Sequence, residues 1–148
     1  MANFKFRYSK ILEIKVQEED DKKQLLATKI SDMERIRGKL EEVKAQRLAY
    51  EERILSEMRG GVSAQKISSY NRFKKWYRDE IENFETRLDM AQRALSIARE
   101  ELLTATQEVK KIEKLKEKAF NEYKFKEEKA MQEMIEETIN FQMAKERE

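Results

Sequence analysis

The sequence predicts an all-α fold: a single long antiparallel two-helix coiled-coil hairpin with a C-terminal helical overhang. Three observations predict it. Proline is absent and only three glycines occur in 148 residues, so the usual turn formers are nearly missing. Charged residues make up 42 % of the chain and hydrophobic residues, alanines included, 39 %, the balance of a long helix rather than of a globule with a broad core. Apolar residues also recur at alternating spacings of three and four over long stretches, a phase that a disordered chain does not hold.

One domain is expected over residues 1–148, with the first helix at about 4–58, the turn at 59–63 and the second helix at about 64–144. Glu, Lys, Arg, Ala, Leu, Gln and Met dominate, all strong helix formers. In the first helix, Met33, Ile36, Leu40, Val43, Arg47, Tyr50 and Ile54 form a heptad seam with one basic interruption. Upstream, Phe4, Tyr8, Ile11 and Leu12 fall on one helical face, with Phe6 off it. Ile11 and Leu12 are expected to pack against the second helix.

Gly60 and Gly61 mark the reversal. Glycine accepts the positive φ that a helix C-terminus and a tight turn both need. Ser63 is then placed to cap the next helix through its side-chain oxygen. The hairpin register pairs Ile54 with the neighbourhood of Tyr70, Ile36 with Leu88, and Ile11 with Ile112.

The second helix carries a longer seam: Tyr77, Ile81, Phe84, Leu88, Ala91, Leu95, Ala98, Leu102, Ala105, Val109 and Ile112. One of its columns is rich in alanine, which lets two helices approach closely. Beyond about Phe120 the first helix has run out and no intrachain partner is expected. Phe120, Tyr123, Phe125, Met131, Met134, Ile135, Ile139 and Phe141 nevertheless continue the apolar supply. An unpaired helix with an apolar stripe frays or finds a partner.

Catalysis is not indicated. Histidine and cysteine are both absent, which removes the commonest general base and metal ligand, thiolate chemistry and any disulfide. No phosphate-binding glycine loop is present; Gly38 stands alone and the Gly60–Gly61 pair lacks the following Lys-Ser/Thr. Acidic runs such as "EEDD" at 18–21 read as solvated helix faces. The reading is therefore a binding protein with no catalytic residues, no cofactor and no metal. A net charge of +2 is too balanced to indicate a nucleic-acid partner. No apolar run approaches the roughly 20 residues that span a bilayer, so a soluble, cytoplasmic chain without direct membrane insertion is expected.

The clearest binding candidate is "KISSYNRFKKWYR" at 66–78, which has five basic residues and no acidic one. Tyr70 and Tyr77 belong to the seam, while Phe73 and Trp76 are turned progressively off it by the 100° helical step. Trp76 is expected to face water or a partner, as an aromatic anchor. The aromatic N-terminus and the overhang are the other two candidates, and both belong to the end of the hairpin away from the turn.

The opening "FKFRYSKILEIKVQEED" resembles the start of the FliJ family of the bacterial flagellar export apparatus. The segment "YEERILSEMRGGVSAQKISSYNRFKKWYRDEIE" is similar to that family's Met-x-Gly-Gly turn with its following aromatics. The stretch "EVKKIEKLKEKAFNEYKFKEEKAMQEMIEE" is similar to its basic C-terminal helix and Met/Glu-rich tail. The resemblance implies a stalk-like antiparallel coiled coil in the cytoplasm, peripherally associated with the inner face of the membrane through the export apparatus. It implies a termini end that enters the ring of the export ATPase FliI, a contact near the turn with the export gate protein FlhA, and the handling of export chaperones. Carried over by position, the gate patch comprises Val43, Tyr50, Phe73 and Tyr77, to which the exposed Trp76 is added. At the termini end the candidates are Phe4, Phe6, Tyr8, Phe120, Tyr123, Phe125, Met131, Met134 and Ile135. The alternative is a holding chaperone or structural coiled coil of prefoldin-like design.

Overall fold

Strong helix formers unbroken by proline leave the backbone few alternatives. In the computed structural model, which describes residues 3–147, they form two long helices. Helix α1 spans Ser9–Met58 and α2 spans Ala64–Glu146; the two pack against each other as an antiparallel helical hairpin, and no strand occurs among the described residues. The start of α1 lies at Ser9 rather than near residue 4. Residues 3–6 have no regular structure, and a turn closed by the Ser9 amide on the Phe6 carbonyl (3.3 Å) leads into the helix. The face shared by Phe4, Tyr8, Ile11 and Leu12 in the sequence reading therefore does not form, because Phe4 is outside the helix.

The reversal is built locally. The amides of Gly60 and Gly61 donate to the carbonyls of Glu57 and Met58, each at 3.2 Å, which tightens the last turn of α1 and satisfies carbonyls that the helix leaves open. Gly61 then takes a φ of 90°, a conformation that costs an L-residue about 1–2 kcal/mol. The Ser63 hydroxyl accepts from the Lys66 amide at 3.3 Å, the N-cap expected of it.

Two compact units are formed, one from Met1–Asp20 with Thr104–Glu148 and the other from Asp21–Leu103. In the second, Leu40, Ile81, Leu95 and Ala98 are buried, with Leu40 and Leu95 each 4 % exposed. Met33, Ile36, Val43, Arg47, Tyr50 and Ile54 flank them on α1 as half-buried seam residues. In the first, Ala105 and Val109 are buried and Leu12 and Ile112 half-buried. The alanine column thus includes two of the least accessible residues of the chain, Ala98 and Ala105, as a close helix–helix approach requires.

The seam of α1 also continues upstream of Met33, through residues that periodicity of apolar side chains does not reveal. Leu12, Lys15, Glu19, Lys22, Leu26 and Lys29 keep the alternating three-and-four spacing and are all half-buried. Lysines tolerate such positions by burying their methylene stems while the ammonium reaches water or a carboxylate. Lys15 Nζ lies 3.0 Å from a Glu108 carboxylate oxygen in one unit, and Lys22 Nζ lies 2.9 Å from Glu101 in the other. The residue numbers of each pair add to 123, so both units hold the same antiparallel register. In that register position 11 does stand opposite 112, but the seam residue is Leu12; Ile11 is turned outward and 46 % exposed, a correction to its expected packing.

Candidate functional site

Within the Asp21–Leu103 unit, the chain on either side of the turn brings three aromatic rings onto Tyr50. The seam delivers Tyr50 from α1 and Tyr70 and Tyr77 from α2, and the helical step adds Phe73 at the seam edge. The Tyr50 ring stacks on Tyr70 (centroids 6.2 Å apart, planes at 21°) and meets Phe73 at 5.3 Å and Tyr77 at 5.7 Å. Trp76 packs edge-on against Tyr77 at 5.0 Å. The Arg53 guanidinium caps the outer side of the cluster, 5.1 Å from the Tyr50 centroid, a cation–π contact worth about 0.5–1 kcal/mol at an exposed site.

This arrangement is half interior and half surface. Tyr50, Tyr70 and Tyr77 are half-buried and hold the helices together, whereas Phe73 and Trp76 remain 48 % and 49 % exposed. A ring pinned by neighbours on one edge and bare on the other loses little entropy on binding, which is the condition of an anchor residue. Val43 lies one heptad before Tyr50 on the seam, half-buried. Tyr50, Phe73, Trp76 and Tyr77 are thus gathered into one cluster, to which the structure adds Tyr70 and Arg53. Arg53 was not legible in the sequence because its role depends on Tyr50 being turned toward it.

The Met1–Asp20/Thr104–Glu148 unit holds a second aromatic group. Phe4 inserts beside Phe120 (5.3 Å, planes at 74°) and Tyr123 (5.4 Å). Pairing within the chain therefore reaches Tyr123, just past the Phe120 limit expected from helix length. Phe6 packs edge-on against Tyr8 at 5.8 Å, and Arg7 lies 5.6 Å over the Tyr8 ring. The Tyr123 hydroxyl donates to Glu127 at 2.7 Å; this bond to a carboxylate holds the phenol above its ordinary pKa of 10.0. Lys15 is likewise held above its ordinary 10.5, first by its hydrogen bond to Glu108 and then by Glu18. Phe125 and every described residue after it are exposed. Met131, Met134, Ile135, Thr138 and Ile139 line an open, largely apolar groove of about 320 Å³ on this stretch. Phe4 and Tyr123 are half-buried against a Phe120 that stays 46 % exposed, whereas Phe125, Met131, Met134 and Ile135 are surface.

No helix is long and apolar enough to cross a membrane, and no group of three His, Cys, Asp or Glu side chains is placed to hold a metal ion, both among the described residues. The chemistry on offer is that of apolar and cationic contact.

Comparison with known proteins agrees with this character. The profile of a family described as Flagellar FliJ protein matches residues 4–148. The Flagellar FliJ protein of Bacillus subtilis (strain 168) is 27 % identical over 132 residues, covering 88 % of this chain and 90 % of that protein. No solved structure matches. With the family profile running through both aromatic groups, the turn and the exposed end of α2, the chain belongs to the flagellar FliJ protein family.

Proposed function

We propose that the protein is a non-enzymatic, stalk-like adaptor of the bacterial flagellar type III export apparatus. In this reading the Tyr50 cluster binds the cytoplasmic part of the export gate protein FlhA, with Phe73 and Trp76 as anchors and Val43 and Tyr77 completing the patch. The residues after Tyr123, with Phe125, Met131, Met134 and Ile135 outward, engage the ring of the export ATPase FliI. The ordered group of Phe4, Phe6, Tyr8 and Phe120 supports that stretch and borders the same contact. Export chaperones are further partners, and the chain is cytoplasmic, held at the inner face of the membrane through the apparatus.

The observation that carries the reading is the family match along residues 4–148, joined to two separate aromatic surfaces left bare by the helix packing. An adaptor acts by differential affinity: contact that favours one state of the gate shifts its population toward that state. Titration calorimetry with the purified ATPase and the gate's cytoplasmic domain tests it. Both are expected to bind, and Trp76→Ala is expected to weaken the gate contact by roughly 2 kcal/mol or more, the scale of a hot-spot aromatic, while leaving helicity unchanged. Binding to neither protein would overturn the proposal.

A further inference from the structure

The turn end of the hairpin carries a charge that the chain as a whole conceals. Between Glu52 and Asp79, Arg53 near the end of α1 and Arg59 just past it join the five cations of residues 66–78, and Glu57 is the single acid. Seven cations against one acid give +6 over this stretch in a chain of +2, so the remainder of the chain is net acidic. All seven cations are exposed. Among the described residues only Arg78 of the seven meets a carboxylate, and loosely, on Asp79 at 3.9 Å. The whole stretch lies within the Asp21–Leu103 unit.

Apolar side chains are exposed among these cations. Phe73 and Trp76 lie three residues apart on one flank of α2, with Arg72 one turn before Trp76 and Lys75 next to it. Leu55, Met58 and Ile67 are exposed on either side of the turn. Tryptophan favours the boundary between a polar and an apolar medium, and Lys and Arg lay their stems over apolar surface while their charges stay in water. An anionic lipid surface answers both features, with phosphate outside and hydrocarbon beneath it. A nucleic-acid strand offers phosphate and rings to stack but no hydrocarbon for Leu55, Met58 or Ile67. An acidic protein face would have to match cations set around the helix, since successive residues such as Lys74 and Lys75 point 100° apart. A fluid bilayer needs no such match. With its side chains α2 is about 10 Å across, close to one Debye length, so cations on its far side still feel the surface.

We propose that the turn end of the hairpin docks on an anionic lipid bilayer, with Phe73 and Trp76 seated at headgroup depth and the surrounding cations on the phosphates. The contact is peripheral, since no helix among the described residues is long and apolar enough to cross a membrane. Each cation near the surface strengthens binding by a factor of roughly five. Phe73 and Trp76 are also the anchors of the proposed gate contact, so lipid and gate compete for the same rings, and lipid holds the turn end at the membrane until a protein partner takes them over. The contact is measured with the chain alone, so its failure is distinguishable from a failure of the ATPase or gate to bind.

The test uses the full chain and its own reporter, since Trp76 is the only tryptophan. Vesicles of equal parts phosphatidylglycerol and phosphatidylcholine are expected to shift the Trp76 emission to the blue and to carry the chain with them in flotation, whereas phosphatidylcholine alone does neither. Raising the salt concentration should weaken binding. Arg72→Gln with Lys75→Gln is expected to weaken it by roughly tenfold or more, and Phe73→Ser with Trp76→Ser, followed by flotation, by roughly the same factor. Lys110→Gln with Lys111→Gln removes the same charge from the other unit and should change binding by no more than roughly twofold. All six positions are exposed, and circular dichroism checks that each variant stays helical. An unshifted Trp76 with no flotation on anionic vesicles would overturn the proposal. So would equal binding to phosphatidylcholine alone, equal effects of the Arg72/Lys75 and Lys110/Lys111 pairs, or a Phe73/Trp76 variant that floats as well as the parent chain. Binding of a single-stranded oligonucleotide without binding of vesicles would assign the patch to nucleic acid instead.

Discussion

Replacing Leu95 by alanine is expected to cost about 2–3 kcal/mol of folding stability. Leu95 is 4 % exposed and sits in the middle of the longer seam. The substitution removes three carbons, worth about 0.8 kcal/mol each in transfer from water. A deep core adds a further cavity penalty and reaches about 5 kcal/mol. A two-helix seam adds less, because half-buried neighbours such as Leu88 and Leu102 can settle into the space. Domains of this size have total stabilities of about 5–15 kcal/mol, so the loss is a large share. The matched control is Leu55→Ala: Leu55 is 62 % exposed, and a change of within about 0.5 kcal/mol is expected. Urea unfolding followed by far-ultraviolet circular dichroism measures both. Equal losses for the two leucines, or a loss at Leu95 below about 0.5 kcal/mol, would refute the assignment of the seam.

Other perturbations separate the remaining elements. Gly61→Ala is expected to destabilise by about 1–2 kcal/mol, since Gly61 sits at φ 90°. Gly38→Ala should stabilise by about 0.5–1 kcal/mol, because a Cβ there meets nothing within 4 Å and a mid-helix glycine carries excess unfolded-state entropy; thermal melts of both read the opposite signs. Lys15 is held above its ordinary 10.5 by Glu108 and then Glu18, so its contribution is fully present below that value and is lost as pH rises through the raised one. Glu108→Gln should remove most of that pH dependence, measured as urea midpoints on either side of pH 10.5. Cutting the chain after Glu127 removes only exposed residues and should leave the melting temperature nearly unchanged, whereas cutting after Lys118 strips Phe4 of both Phe120 and Tyr123 and should lower it.

The fold was legible wherever apolar side chains occupied the seam. The run from Tyr77 to Ile112 announced α2, and the seam from Met33 to Ile54 announced the later part of α1. The paired glycines and Ser63 located the reversal, because turn chemistry and capping are local. Upstream of Met33 the seam is occupied by Lys15, Glu19, Lys22 and Lys29, and Lys15 and Lys22 meet carboxylates on the other helix, Glu108 and Glu101. No periodicity of hydrophobicity carries that information. Ile11 and Leu12 were both assigned to the packed face, and only Leu12 holds the seam position. Residues 4–6 were read as helix, yet Phe4 packs as a non-helical residue against Phe120 and Tyr123. At the Tyr50 cluster the sequence indicated which rings approach the turn. Their mutual contacts, and the Arg53 cap, depend on the register between the two helices and emerge only with it.

Everything rests on that register, and a nitroxide pair at Ile11 and Lys111, both exposed, reports it most directly by pulsed dipolar spectroscopy. Packed helix axes lie about 8–10 Å apart, so with the label arms a single narrow distribution below roughly 25 Å is expected. A distribution centred at many tens of ångströms would mean that the start of α1 does not lie along α2, and the account would fail.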